Sequence, residues 1–192
     1  MSKVRFFRGA LFLALFTALA VGASAQITIS GGAALSSMSA EVGSTSIDGD
    51  IGFGGNIYAD YLLPIGVPLS LGIEAGFDTA SIEDGGTKVT GNAIPLLARV
   101  AYHFDLMANL DLYLVGKIGY VLGFAETGGE SESGFGGIGF GFDVGVAYYF
   151  TPRIGVFAEA GFDRYNLEKD ISGMTVKAPF SRFVTVGIST KF

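Results

Sequence analysis

The sequence predicts an all-β fold, an eight-stranded antiparallel up-and-down barrel that crosses a membrane, and three observations carry that reading. Bulky apolar residues alternate with small or polar ones along most of the chain, in segments separated by turn signals. Thirty glycines and a mean hydropathy of +0.50 accompany only 16% charged residues. Beyond the N-terminal segment no apolar run reaches the roughly 20 residues that a membrane helix needs.

The first element is MSKVRFFRGALFLALFTALAVGASA, residues 1–25. It has a basic start (Lys3, Arg5, Arg8), an apolar stretch from Ala10 to Val21 and the small-residue pattern Ala23-Ser24-Ala25. This is the organisation of a secretory signal peptide cleaved before Gln26. An uncleaved anchor is the alternative, disfavoured by the short run and its small-residue end. Cleavage takes the formal charge from −6 to −9, because the segment carries three basic and no acidic residues. That acidity argues against nucleic acid as a partner. The absence of cysteine excludes a disulfide scaffold and thiol-rich metal sites. Residues 26–192 show no break in composition and are expected to form one domain.

Eight strands are expected there: Ile27–Ser39, Gly49–Leu62, Leu69–Ile82, Val89–Phe104, Leu110–Thr127, Phe135–Phe150, Arg153–Glu168 and Ala178–Phe192. The first, third, fifth and seventh connections are polar and acidic (EVGSTSID, EDGGTK, GGESES, KDISGMT). The others (LPIGVP, DLMAN, TP) are short and poor in charge. Longer loops at one end of an even number of strands, with tight turns at the other, suit an outer-membrane barrel. In the sixth strand Ile138, Phe140, Phe142, Val144, Val146, Tyr148 and Phe150 share one face, and Gly137, Gly139, Gly141, Asp143, Gly145, Ala147 and Tyr149 the other. Mid-strand charges fall on the small-residue face in the third, fourth, fifth and seventh strands as well.

Volume decides which face is inside. The interior of an eight-stranded barrel is only just wide enough for its side chains to fill it. Five to seven bulky residues per strand would overfill it, so a soluble lipocalin-like barrel is disfavoured. Turned the other way, the bulky face meets lipid and closure satisfies every backbone group.

The chain ends SRFVTVGISTKF, with Val184, Val186, Ile188, Thr190 and Phe192 in phase. The signal peptide, the eight amphipathic strands and this terminal phenylalanine together resemble the small outer-membrane β-barrel family of OmpX and the OmpA transmembrane domain. The segment FDVGVAYYFTPRIGVFAEAGFDRY, Phe142–Tyr165, resembles that family's penultimate hairpin. The resemblance implies an integral, multi-pass protein of the outer membrane of a diderm bacterium, without the periplasmic peptidoglycan-binding domain of OmpA. It also implies that Phe192 is read by the outer-membrane assembly machinery, and that the protein serves envelope integrity or surface interactions. With no tryptophan, Tyr and Phe are left to form the interfacial girdles.

Candidate chemistry is sparse. GFGGIG, Gly134–Gly139, matches GxGxxG, but a dinucleotide loop needs it between a strand and a helix, and alternation continues into Phe140. It also lacks the aspartate of a calcium-binding glycine nonapeptide. The single histidine, His103, is expected near the periplasmic mouth, whereas outer-membrane barrel enzymes place a His with Ser or Asp at the outer rim. No enzyme activity, cofactor or metal is therefore expected.

Index sums across the hairpins give the main candidate, a lumen belt of Asn56, Glu74, Arg99, Lys117, Asp143, Glu159 and Thr185. Ions persist in a low-dielectric lumen only if paired. The belt is therefore expected to be a structural plug. The alternatives are a charge-lined conduction path, as in a narrow porin-like or OmpW-like channel for ions or small solutes, and catalysis by a carboxylate such as Glu159.

Arg164 and Arg182 break the apolar phase near the outer end of the last hairpin and are expected to be cross-strand neighbours touching headgroup phosphates. Two snorkelling residues without a specific partner are the alternative. Glu41, Asp48, Glu83, Asp84, Glu126, Glu130, Glu132, Glu168 and Asp170 make the loops acidic. Glu130-Ser131-Glu132 reads as solvated surface more readily than as a divalent-cation site. Outer-membrane lipids, the assembly machinery and an unidentified loop ligand are the expected partners of a monomer.

Overall fold

A computed structural model describes residues 26–42, 45–84, 87–127, 130–171 and 174–192. The N-terminal segment 1–25, read above as a signal peptide, lies outside the described residues.

The strands are β1 (Ile27–Val42), β2 (Thr45–Leu62), β3 (Leu69–Asp84), β4 (Thr87–Met107), β5 (Leu110–Thr127), β6 (Glu130–Tyr149), β7 (Ile154–Ile171), β8 (Met174–Lys177) and β9 (Phe180–Lys191). From β1 to β8 each pairs antiparallel with the next, and β9 pairs with β7 and β1, so the sheet closes on itself. β8 and β9 are one stave of the barrel, interrupted at Ala178-Pro179, where proline supplies no ladder donor. The ring therefore has eight staves. Its last residue pairs with its first: Phe192 N donates to Ile27 O at 2.8 Å.

The four polar connections are shorter than the sequence suggests. Strand pairing runs on to the residues beside each two-residue gap, as in Val42↔Thr45 and Ile171↔Met174. Charges on these extensions face one another: Glu83 opposes Lys88, Lys177 opposes both Glu41 and Glu168, and Lys169 pairs with Glu132. The acidic hairpins are thus laced by cross-strand pairs as well as being solvated. The side chains of Asp84, Glu130 and Ser131 fall outside the described residues.

Strands of 16 to 21 residues exceed the 9–11 or so that cross a bilayer, so the hairpins rise above the apolar band. The opposite end turns tightly. Gly66 takes φ 74° between β2 and β3, and Thr151 Oγ1 accepts hydrogen bonds from the amides of Arg153 and Ile154 at 3.3 and 2.9 Å.

Alternation sorts the faces. Ile73, Ile118, Ile138 and Ile188 are each about 60% exposed, while their in-facing neighbours Glu74, Lys117, Gly139 and Ser189 are buried. Tyr102, Phe104, Tyr148, Phe150 and Phe192 lie exposed around the end where the described residues begin and end, and Tyr102 meets Phe104 edge-on at 4.9 Å.

Among the described residues the alternation changes phase in three strands. In β2, Ser37 pairs with Ile51 but Ser39 with Asp48, so Ile47 packs inward while Ile51 is 76% exposed. In β6 the register slips beside Gly134, whose φ of 97° favours glycine: Phe135 keeps the inward phase of Gly137 and Gly139, while Ser133 pairs with Phe124 on the outward phase. Gly134–Gly139 is therefore strand, not a phosphate loop. In β9, Leu35 pairs with Val184 but Ser36 with Arg182, so Phe183 is the extra residue. Phe183 and Val184 are consecutively exposed, and every position before them changes side.

The lumen is filled in three layers. Toward the hairpin end lies an apolar layer of Met38, Ile82, Leu97, Val121, Phe135, Tyr165, Leu167 and Phe180, with small alanines between. Toward the termini lies a second, mostly aromatic layer built on Tyr58, Tyr113, Val115, Tyr149 and Phe157. Charged side chains occupy the space between.

Candidate functional site

The middle layer is an ion-pair network whose members come from seven strands. Arg99, on β4 and 1% exposed, donates from Nη1 to Glu74 Oε2 at 2.6 Å and from Nη2 to Glu159 Oε1 at 2.7 Å. Its Nε reaches Asp60 Oδ1 at 3.4 Å, and the guanidinium lies 3.7 Å above the Tyr58 ring. Lys117 Nζ sits among Asp143 at 2.5 Å, Asp163 at 3.0 Å, Glu159 at 3.4 Å and Glu74 at 3.6 Å. Asn56 Nδ2 donates to Glu74 Oε1 at 3.0 Å, and Tyr113 OH to Glu159 Oε1 at 3.1 Å. Thr185 is buried directly opposite Glu159.

The structure thus places all seven belt residues in the lumen, though not all in the register inferred for them. Arg99 opposes Lys117, and Glu159 opposes Thr185. Asn56 opposes Gly76, Glu74 opposes Leu97, Lys117 opposes Gly141 and Asp143 opposes Gly161, each two residues from the partner the index sums give. A shift of two keeps the face, because side chains repeat every second residue. The long side chains then meet along diagonals. Glycine makes room: a Cβ on Gly141 would lie 1.7 Å from Asp163 Oδ1, and one on Gly161 2.3 Å from Asp143 Oδ1.

Arg182 corrects the sequence reading. It is not on the lipid face and not at headgroup level. The Phe183 bulge turns it inward, where it is 2% exposed. Its Nη1 meets Glu74 Oε1 at 2.5 Å, its Nη2 meets Asp78 Oδ2 at 2.7 Å, and Asp163 lies 3.8 Å away. Nor is it the partner of Arg164: Asp163 opposes Arg182, and Arg164 opposes Ser181. Arg164 stays outside and half-buried, donating to Ser181 Oγ at 3.3 Å with Glu41 3.9 Å away.

Asp60, Asp78 and Asp163 are further members that the hairpin sums missed. Each lies on the small-residue phase of its own strand, so its face was legible, but a diagonal partner gives no constant sum. Among the described residues the network brings together three cations (Arg99, Lys117, Arg182) and six carboxylates (Asp60, Glu74, Asp78, Asp143, Glu159, Asp163). It therefore attracts cations and repels anions.

His103 lies near the termini end and is held on both sides, Nε2 2.9 Å from Ser70 Oγ and Nδ1 2.9 Å from Asp111 Oδ2.

Comparisons with known proteins agree with this architecture. No curated protein matches the chain. Among solved structures it is similar to Neisserial surface protein A (20% identity, TM-score 0.58, covering 86% of this chain and 97% of that one). It is also similar to a major outer membrane protein from Thermus thermophilus (17%, TM-score 0.55, 88% and 100%) and to outer membrane protein W of E. coli (14%, TM-score 0.51, 87% and 97%). At these identities the likeness shows the fold. The family model described as outer membrane protein beta-barrel domain matches residues 9–192. Every described strand lies inside that match, so the chain belongs to the outer membrane protein beta-barrel domain family and is an integral barrel of the bacterial outer membrane.

Proposed function

We propose that this protein is a closed barrel whose plugged lumen makes it a rigid, non-enzymatic scaffold for four hairpins at the outer face, serving envelope integrity or surface interactions. One observation supports the reading: the ionic layer lies between two clusters of buried apolar and aromatic side chains, one toward each end of the lumen. A pore would need Leu97, Phe135, Leu167 and Phe180 to part at one end and the tyrosines to part at the other.

The refolded barrel in a planar bilayer is therefore expected to show no discrete conductance steps. A narrow channel is the competing reading. Given the excess of lumen carboxylates it would be cation-selective, and reproducible cation-selective steps whose conductance changes in Lys117→Ala would replace the plug reading.

Arg164 remains the candidate for a headgroup contact. It lies ten residues along β7 from Ile154, a height of roughly 23 Å for a strand rising about 3.3 Å per residue at a tilt near 45°. That is the level of the outer interface, where an arginine on the lipid face costs about 0–1 kcal/mol. Protein carrying Arg164→Ala is expected to retain less anionic lipid through detergent washing than the wild type. Equal retention would leave Arg164 a snorkelling residue. Phe192, 67% exposed at the seam where the barrel closes, is the residue offered to the assembly machinery.

A further inference from the structure

Ser70, His103 and Asp111 come from three adjacent strands, β3, β4 and β5, and all face the lumen at the periplasmic end. The diagonals of the sheet join them. His103 opposes Tyr113 while Asp111 opposes Asp105, and Ser70 opposes Ala101, so each partner is offset from the histidine by two residues. The resulting chain runs from Ser70 Oγ to His103 Nε2 at 2.9 Å and from His103 Nδ1 to Asp111 Oδ2 at 2.9 Å. This is the order and spacing of a nucleophile, a base and an orienting carboxylate.

The aspartate selects the tautomer that carries its proton on Nδ1, which leaves Nε2 free to accept from the serine hydroxyl. The Tyr113 ring, 5.6 Å from the imidazole between centroids, limits its rotation. Neither the lumen belt nor the lipid face uses these three residues. They line a cavity of about 100 Å³ that extends to Gln26, Leu62 and Pro68 at the periplasmic mouth. Lys191 lines the same cavity, its ammonium 3.9 Å over the Tyr149 ring.

We propose that Ser70, His103 and Asp111 form a nucleophilic site that cleaves esters of short acyl chains at the periplasmic mouth. Ser70 Oγ attacks the ester carbonyl carbon as its proton passes to His103 Nε2. The ester C–O bond then breaks, and the alcohol departs with the proton from Nε2. Water, deprotonated by His103, attacks the acyl-serine, releasing the carboxylic acid and returning the proton to Ser70. Ser70 and His103 are the catalytic residues, and Asp111 positions the imidazole.

The sheet uses its own amides in the ladders, which leaves the Lys191 ammonium and the Tyr149 hydroxyl, both lining the same cavity, as the donors available to charge developing on the carbonyl oxygen. A cavity of about 100 Å³ suits a short acyl chain better than a lipid tail, and the substrate class is proposed on that ground. The site goes beyond the scaffold reading and replaces its non-enzymatic part, and it stands whether or not the lumen conducts.

The test is covalent labelling of the refolded barrel with a small alkyl fluorophosphonate, followed by intact mass and peptide mapping. One adduct per barrel on Ser70 is expected, together with release of nitrophenol from p-nitrophenyl acetate. Ser70→Ala and His103→Gln, checked for folding by heat-modifiable gel mobility, should each lower the labelling rate about a hundredfold or more. Asp111→Asn should lower it and also flatten its rise with pH, an effect that a merely structural hydrogen bond would not produce. Wild-type protein that takes no adduct overturns the proposal whatever the variants do. So does an adduct that maps to a tyrosine or to Lys191, or one that persists in Ser70→Ala.

Discussion

Arg99→Ala is expected to lower the unfolding free energy of the barrel by about 3–5 kcal/mol, the usual cost of removing one partner from a buried ion pair. The size follows from what the truncation leaves behind. Glu74 and Glu159, both 2% exposed, each lose a hydrogen bond shorter than 2.8 Å, and Asp60 loses the cation beside it. Those carboxylates sit in a layer already richer in anions than in cations, so the variant also raises their mutual repulsion. Urea titration read by gel mobility or far-UV circular dichroism measures the change, since the chain has no tryptophan to report it. Neutralising the orphans should recover much of the loss: Arg99→Met combined with Glu74→Gln and Glu159→Gln is expected to unfold closer to wild type than Arg99→Ala. An Arg99→Ala barrel with an unchanged midpoint would remove the belt as a structural element.

Arg182→Leu has two opposite expectations, which makes it the sharper measurement. If strict alternation held to the end of the chain, Arg182 would face lipid with Val184, Val186 and Ile188. Replacing it by leucine would then relieve up to about 2–4 kcal/mol, depending on depth. In the structure it faces inward against Glu74, Asp78 and Asp163. The same substitution is then expected to destabilise by about 3–5 kcal/mol. The sign of the shift in urea midpoint tells where the side chain is, and a stabilised Arg182→Leu barrel would overturn the inward placement.

The strand order, the outward apolar face and the lumen side of the charged positions were legible because all three follow from a period of two and from volume. Glu74, Arg99, Lys117, Asp143 and Glu159 could be assigned to the interior from their own strands alone. Their contacts could not. A hairpin index sum assumes perpendicular partners, whereas barrel strands tilt, and Lys117 reaches Asp143 and Asp163 along diagonals. Arg182 was illegible for a different reason. A bulge is one extra residue that leaves no mark in composition, and Phe183 is as apolar as the neighbours it displaces. His103 was placed near the correct mouth by counting, but its two partners lie 33 residues before it and 8 after, on separate strands.

By itself the sequence determined that the chain is an inside-out barrel. Alternation and side-chain volume are local properties, and an eight-stranded lumen has no room for the bulky face. Only the tertiary structure decided which charges meet, that Arg182 belongs among them, and that a serine, a histidine and an aspartate share one cavity. Those facts depend on shear between strands and, for Arg182, on the single-residue bulge at Phe183. Both are set by closure of the whole sheet and by no one segment of it.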